Sequence, residues 1–550
     1  MSSLRSLSDD HSIPDWATTD SLASSMNMFY LIINAQIVFF MQAGFCMLEV
    51  GIVNPKNAKS ILFKNMLDGL MVTLGWWLYG FGLAGSGASG QSEASADGLG
   101  TFGLEGGVPM VDSAAFIHSL VFATTTTTIM SGGVAERMKV EVYIYLSFIL
   151  SSLVYSNIVR WSWTDDGFLA DLGFLDFAGS CVVHLTGGTA ALAGAMLVGP
   201  RRHRFSATGQ TIAFKQTSLV LSALGGLMLA FSWISFNGSS VLVTSGTNLY
   251  LSAHAVLNTF LSLSAAGVTS VTVEFMFASS TYDLPITINS MLGGLVAVTA
   301  SCVYIDNWSA ILLGFLSAVV TRYGSRLLTR YQIDDPLDAF AVHGLNGILG
   351  TVWVGLFARK SLVTLMGKNP DNYGVLFGGS AKLLGAQFIG CAVVFFFTFL
   401  AILFACALFV TAKSLLASFS GSPNVVEEEG EHEDDDDEDD DDRTSSTTQY
   451  DAANASLRDK FTMQLRVSRD AEIVGADFIY HQGNAFELTS NQVKLYNQEK
   501  NAQHRILRRR AAAARGARTD MEGAGGVGGA ADEEGGGMEM VETTGAGARL

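Results

Sequence analysis

The sequence predicts an all-α membrane protein that crosses the bilayer many times. Of its 550 residues, 49% are hydrophobic and only 15% are charged, whereas a soluble chain of this size carries about a quarter charged residues. Residues 28–416 are apolar with short polar breaks, and much of the net charge of -18 lies in one acidic run beyond them. Because a helix needs about 20 mainly apolar residues to cross the hydrocarbon core, this region predicts a bundle of transmembrane helices.

Eleven stretches are long and apolar enough to be candidate spans. Glycine and serine are frequent within them, as expected where membrane helices approach each other closely. The candidate spans are residues 28–50, 61–84, 114–134, 142–160, 178–199, 217–236, 250–275, 286–304, 309–328, 339–357 and 384–413.

The basic residues of the connections predict how the helices are oriented. Lys and Arg concentrate in the odd-numbered connections, as at Lys56, Lys59, Arg201 and Arg202, whereas residues 85–107 between the second and third spans have neither. Because Lys and Arg are enriched in cytoplasmic loops, we expect the N-terminus outside and the C-terminus in the cytoplasm. The tenth connection, with three basic residues on the outside, is an exception to this alternation.

Outside the apolar region the chain is polar or low in complexity. The predicted orientation places residues 1–27 outside. They lack the basic start and short apolar core of a signal peptide, so we expect them to form an extracellular segment. Residues 417–464 include the acidic run Glu427–Asp442 and are predicted to be a disordered cytoplasmic linker. Residues 465–490 have the mixed character of a small docked cytoplasmic element, and residues 491–550 are predicted to be a low-complexity, disordered tail.

Two histidines interrupt apolar spans, and an ionisable side chain in a membrane is a functional candidate because its burial is costly. Their segments are the fifth and tenth candidate spans, so each closes a set of five helices. A second copy of an odd-numbered set enters the membrane from the opposite side, which predicts two inverted five-helix repeats followed by a final helix. Both segments read Asp, seven residues, His, three residues, Gly: Asp176, His184 and Gly188, then Asp335, His343 and Gly347.

The two histidines have two interpretations. Neutral imidazole has one donor and one acceptor nitrogen, so a histidine pair can line a pore and bind a small polar solute without a fixed charge. Alternatively, each histidine is a packing residue bonded to a nearby carbonyl. The role of Asp176 also has two interpretations, because an aspartate at the start of a helix caps exposed amides whether or not it contacts a substrate. Asp335 and Asp338 share this ambiguity.

Several long motifs occupy the membrane region. They read VFATTTTTIMSGGVAERMKV at the third span, DFAGSCVVHLTGGTAALAGAMLVGPR at the fifth and WISFNGSS at the sixth. Together with the second histidine segment, they resemble the ammonium transporter (Amt/Mep/Rh) family, and most closely its plant-type branch, over residues 28–416. The resemblance implies a transporter or channel for ammonium or ammonia that acts in nitrogen uptake.

The resemblance also implies an outer vestibule and a gate. Phe122 and Phe236 match the two gate phenylalanines, and Ser240 matches a serine that contacts ammonium. Trp163 matches the vestibule tryptophan when one residue of loop length is absorbed. A cation over such rings gains about 0.5–2 kcal/mol, depending on its desolvation. At the position one turn before Phe122, often aromatic in the family, this chain has His118, which either titrates near the vestibule or faces a neighbouring helix.

Below the gate, the resemblance implies a pore. His184 and His343 match the family's paired pore histidines, and Asp176 matches the aspartate that supports ammonium recruitment. An apolar tube disfavours a full charge, so we expect the substrate to pass the histidines as ammonia. The residues do not decide between electrogenic and neutral transport.

The tail segment EIVGADFIYHQGNAFE resembles the family's cytoplasmic regulatory motif. Gly475, Asp477 and His481 match its Gly, Asp and His. Ile479 occupies the position of a threonine that is phosphorylated in the plant-type branch, so that route of regulation is not expected. Cytoplasmic regulators of the tail are possible partners.

Two other functions compete with transport. One is an ammonium sensor that signals through its tail, and the other is an Rh-like channel for neutral gas, against which the Trp163 and Ser240 vestibule argues. An enzyme is not expected, because the soluble parts contain no nucleophile–base set, nucleotide loop or metal-ligand spacing. The resemblance implies a homotrimer. We expect it in the plasma membrane, in contact with lipid, because an ammonium scavenger acts at the cell boundary, and we expect no cofactor, metal or nucleic acid.

Overall fold

The computed structural model describes residues 19–85, 110–206, 208–244, 246–277, 282–419, 457–468, 471–472 and 475–477, and these residues form helices and connecting loops without a β-strand. His481, the first eighteen residues and most of the predicted linker and tail lie outside them. The α-helices are α1 (Thr19–Phe39), α2 (Met41–Ile52), α3 (Ala58–Gly75), α4 (Phe81–Ala84), α5 (Met110–Val134), α6 (Val140–Ile149), α7 (Ser156–Trp163), α8 (Phe168–Asp171), α9 (Thr186–Val198), α10 (Leu219–Gly238), α11 (Asn248–Phe277), α12 (Leu284–Thr299), α13 (Asn307–Arg330), α14 (Asn346–Phe357), α15 (Lys360–Leu365), α16 (Ala381–Phe419) and α17 (Leu457–Leu465).

Wider π-helical turns extend four of the membrane helices. Trp76–Gly80 joins α3 to α4, and Leu150–Tyr155 joins α6 to α7. Ser180–Leu185 leads into α9, and Phe340–Leu345 leads into α14. Such turns are rare and are frequently found at functional sites. Both predicted pore histidines lie in one.

A multi-pass, all-helical membrane protein is confirmed. Among the described residues, nine helices are long and apolar enough to cross a membrane. The other two predicted spans are also helical but are not among these nine helices, and they differ from them in different ways. The segment α3–α4 contains Lys64 and Asp68, both buried, and α12 has only 16 residues.

Helix α12 was predicted to continue to residue 304 but ends at Thr299. Its last carbonyl accepts a hydrogen bond from Ala178 N at 3.2 Å, and the following amide, Ala300 N, donates to Ser180 Oγ at 2.6 Å. These bonds turn the chain away from the helix axis. The end of α12 therefore supports the start of the first histidine segment.

The two histidine segments cross in the centre of the bundle, and the glycine of each repeat lies at the crossing. A Cβ on Gly188 would lie 2.4 Å from Gly344 N, and one on Gly347 would lie 2.5 Å from Ser180 O. Each glycine thus permits its helix to touch the π-helical turn of the other segment. The shared Asp–His–Gly spacing is explained by this reciprocal contact.

The short tail helix α17 and the residues after it dock on one side of the bundle. We call this side the tail face and define it by residues 53–60, 135–139 and 198–202. Val467 N donates to Arg137 O at 2.8 Å, and Lys139 N donates to Leu465 O at 3.0 Å. Helix α17 begins within the segment predicted as linker, whose residues 420–456 lie outside the described part of the chain.

We expect Gly188→Ala to lower the thermal stability of the purified protein, because the added methyl group meets backbone atoms that cannot move independently. Gly69→Ala is the matched control, since a Cβ there has no neighbour within 4 Å and alanine favours a helix by about 0.5–1 kcal/mol. The melting temperature in detergent should fall for Gly188→Ala and stay level or rise for Gly69→Ala. Equal melting temperatures would contradict the close crossing.

Candidate functional site

Two stacked phenylalanine rings lie at one end of the site. The rings of Phe122 on α5 and Phe236 on α10 are 4.1 Å apart between centroids, with an angle of 30° between their planes. Both side chains are buried. Because carbon atoms in contact are about 3.5–4 Å apart, rings at this distance leave no room for a hydrated ion between them.

Below the phenylalanines lie the two histidines. His184 Nδ1 and His343 Nδ1 are 3.2 Å apart, and both side chains are buried. One nitrogen must donate and the other accept, so two neutral rings in this contact have opposite tautomers at Nδ1. The ring of His184 stacks on Trp233, with centroids 4.8 Å apart. The structure therefore brings the two predicted pore histidines together.

The rings form a continuous column through the bundle. His184 lies 5.6 Å from Phe236 above it, and His343 lies 5.9 Å from Phe45 below it, between ring centroids. The His184 Nε2 atom is buried and has no hydrogen-bond partner among the described residues. A buried polar atom without a partner is unusual, and this nitrogen can bond to a small molecule in the column.

Asp176 caps the first histidine segment. Its carboxylate accepts hydrogen bonds at 2.8 to 3.0 Å from four successive backbone amides, those of residues 179–182. Trp163 Nε1 donates to the Asp176 carbonyl oxygen at 2.7 Å. Asp335 occupies the equivalent position in the second segment, where its carboxylate accepts from Phe340 N at 2.8 Å. The capping role that the sequence left open is thus seen at both aspartates.

Ser240 and His118 lie beside the two stacked phenylalanines. Ser240 Oγ donates to Phe236 O at 2.9 Å, so its lone pairs remain available as acceptors. His118 Nε2 lies 2.8 Å from Ser239 Oγ, and its ring is 5.1 Å from that of Phe122. His118 therefore lies against the ring of Phe122. Within the described part of the chain, Trp163 makes no ring contact with Phe122.

An ion cluster holds the tail face together. Arg201 forms an ion pair with Glu136 and a bidentate one with Asp334, at 2.8 and 3.0 Å. Burial alone would raise the pKa of Asp334, but the hydrogen bonds and charge of Arg201 outweigh it and lower this pKa to about 2. The pKa of Glu136 is likewise lowered by Arg201 against the effect of burial. Both carboxylates therefore stay ionised at neutral pH.

Two of the three predicted regulatory residues contact the tail face, and the third, His481, is not described. The Asp477 carboxylate accepts from Lys59 N at 2.8 Å and from Ser60 N at 2.6 Å, at the start of α3. Gly475 has φ of +121°, and a Cβ on it would lie 2.7 Å from Lys56 Cβ. Glycine is required there for both reasons.

Two residues around the column were not predicted from the sequence. Trp233 lies in the motif WISFNGSS but was given no role, although it stacks on His184. Glu49 is buried in α2 and lines the cavity below His343. The rule that selected the histidines, an ionisable residue inside a span, also applies to Glu49.

Comparison with known proteins gives a consistent result. The sequence profile of the Ammonium Transporter Family matches residues 28–435. Ammonium transporter 3 of Dictyostelium discoideum is 34% identical over 400 residues, which cover 70% of this chain and 90% of that protein. Ammonium transporter 1 member 3 of Solanum lycopersicum is also 34% identical, covering 67% of this chain and 84% of that protein. The plant branch is therefore not singled out.

Solved structures share the fold. The structure of a protein named "Sensor Amt Protein" superposes with a TM-score of 0.64 and 30% sequence identity, covering 71% of this chain and 94% of that chain. The profile match spans the whole helical bundle and both histidine segments. This chain belongs to the ammonium transporter family and is a multi-pass membrane transporter of ammonium, not an enzyme.

Proposed function

We propose that the column of rings is the conduction path, and that ammonium is recruited at its outer end and passes the histidines as ammonia. The observation that carries this proposal is the contact between His184 and His343, 3.2 Å apart at Nδ1 within a buried, aromatic surrounding. A neutral pair of this kind offers hydrogen bonds to a small solute without a charge that would bind an ion tightly.

Selectivity arises at the gate in this proposal. Ammonium reaches Trp163, Phe122 and Ser240, where aromatic faces and a hydroxyl oxygen replace part of its water shell. Sodium has no N–H group to donate to Ser240 and holds its water more firmly. A cation entering the apolar column would lose its solvation without a compensating contact, so ammonium gives a proton to water in front of the gate and enters the column as ammonia.

Several finer features belong to the same proposal. The tail face is cytoplasmic, as its basic residues favour. The two five-helix halves form inverted repeats. In support of this, Trp163 lies beside the start of the first histidine segment, whereas Arg201, on the tail face, lies beside the start of the second. The protein acts as a homotrimer in the plasma membrane. The homotrimer and its location in the plasma membrane are inferred from the family resemblance and from exposed apolar helix surfaces, such as Phe396, Leu400 and Phe404 of α16.

Sensing through the tail is the second candidate function. The docked residues after α17 favour it, and a protein of the same fold is named "Sensor Amt Protein". In this alternative, tail contacts would change with ammonium while little ammonium is conducted. A neutral gas channel is the third candidate, and it would not depend on Trp163.

Substitution of the column should abolish transport. In cells that lack their own ammonium uptake, we expect His184→Ala to lose growth on limiting ammonium and ammonium-evoked current, because the paired acceptor is removed. His254→Ala is the control, since His254 bonds to Ile305 O at 2.9 Å outside the column. Transport by correctly inserted His184→Ala at the wild-type rate would contradict the proposed path.

The vestibule assignment makes a separate prediction. Trp163→Ala should raise the KM for ammonium by roughly 2- to 30-fold at unchanged expression, which is the loss of about 0.5–2 kcal/mol of cation–π binding. Uptake measured over a series of ammonium concentrations gives this KM. An unchanged KM would favour the neutral gas channel.

Tail docking should also control transport. Asp477→Asn removes a charge from two hydrogen bonds and should release the tail, with faster proteolytic cleavage after α16 and a lower transport rate. The control is Asp371→Asn, because Asp371 is exposed in the connection between α15 and α16 and pairs only with Lys360 at the start of α15 among the ion pairs of the described residues. Faster cleavage with unchanged transport would favour signalling through the tail instead.

A further inference from the structure

A second polar site lies at the inner end of the column, next to His343. A small cavity of about 20 Å³ is lined by His343, Phe45, Glu49, Asn289, Thr128 and Val342. This volume holds about one water-sized molecule. Ammonia and ammonium are of that size. The cavity therefore lies where a molecule leaving the histidine pair would arrive.

Glu49 places a free carboxylate oxygen in this region. Its Oε2 atom accepts hydrogen bonds from Ser131 Oγ at 2.7 Å and from Asn65 Nδ2 at 3.0 Å. Its Oε1 atom is buried and has no partner among the described residues. The side chain is only 1% exposed. An unpartnered oxygen on a buried carboxylate is costly, so a molecule that donates to it would be bound.

The charges around Glu49 also favour a donor. Lys64 on α3 is its ion-pair partner, with Nζ 3.8 Å from Oε2. Asp68, one turn further along α3, accepts from Thr128 Oγ1 at 2.7 Å and from Ser147 Oγ at 2.6 Å. The hydrogen bonds of the Arg137 guanidinium go to the backbone carbonyls of residues 135, 199 and 334. The ion pair with Lys64 is therefore made through Oε2 of Glu49 and leaves Oε1 for a donor in the cavity.

We propose that Glu49 forms an inner binding site for ammonia or ammonium, in which Oε1 accepts an N–H hydrogen bond from the molecule that has passed His343. This inference rests on the proposed function, because it uses the column as the path. The site lies on the tail-face side, since α2 ends at Ile52 and Asn54 bonds to Glu136. It mirrors the outer site at Trp163 and would set the affinity for substrate arriving from the tail face.

The test is the KM for ammonium measured separately from each face. The full-length protein is reconstituted into vesicles sorted by orientation, and uptake of ¹⁵N-labelled ammonium is measured at mildly acidic pH. We expect Glu49→Gln to raise the KM from the tail face about tenfold, because a hydrogen bond to a charged acceptor is weakened. The KM from the Trp163 side should stay within about twofold of the wild-type value.

The controls separate binding from folding. Glu274→Gln breaks a comparable intramembrane ion pair, that of Glu274 with Arg322 on α11 and α13, and should change neither KM. Should Glu49→Gln fail to fold because Lys64 is left unpaired, the double variant Glu49→Leu/Lys64→Met removes the pair together, which buried ion pairs often tolerate. It should show the same one-sided rise in KM.

Three results would overturn the inference. An unchanged tail-face KM in folded Glu49 variants would show that the cavity holds water only. An equal rise in KM from both faces would show a structural effect. No uptake by the wild-type protein from either face would refute the proposed function, and this inference with it, whereas the first two results leave that function standing.

Discussion

The contact between two buried imidazoles is the interaction on which the rest of the pore depends. His184 and His343 touch through Nδ1 atoms that are 3.2 Å apart, and this contact requires one donor and one acceptor. A charge at this depth would be expensive, and so would loose packing that admits bulk water. The surrounding rings of Phe236, Trp233 and Phe45 meet both requirements. In the path that we propose, the same surrounding disfavours ions and admits ammonia.

The architecture serves to bring the two rings together. Each histidine lies in a π-helical turn just after an aspartate that caps the turn's free amides. The glycine four residues after each histidine lets the segments cross without a side chain between them. The spacing Asp, His, Gly therefore encodes a cap, a histidine of the central contact and a crossing point. On the tail face, Arg201 ties the second segment to the rest of the bundle through Asp334.

The sequence predicted much of this arrangement because its strongest signals are local. Long apolar stretches predicted the helices, and the shared Asp–His–Gly spacing predicted two equivalent histidine segments, whose histidines are in contact. It did not predict the π-helical turns, since a turn one residue wider hardly alters an apolar pattern. The early end of α12 depends on bonds to Ala178 and Ser180, which are distant in sequence. The position of Glu49 below His343 likewise depends on packing between α2 and the second histidine segment.

The most direct test of the contact between the two imidazoles is to measure which nitrogens of the two rings are protonated in the membrane. Solid-state NMR of ¹⁵N-histidine-labelled protein in lipid, with His184→Ala and His343→Ala for assignment, distinguishes protonated from bare ring nitrogens. We predict two neutral rings at neutral pH, with Nδ1 protonated in one and bare in the other. An imidazolium at either position, or the same tautomer in both rings, would contradict the neutral shared contact.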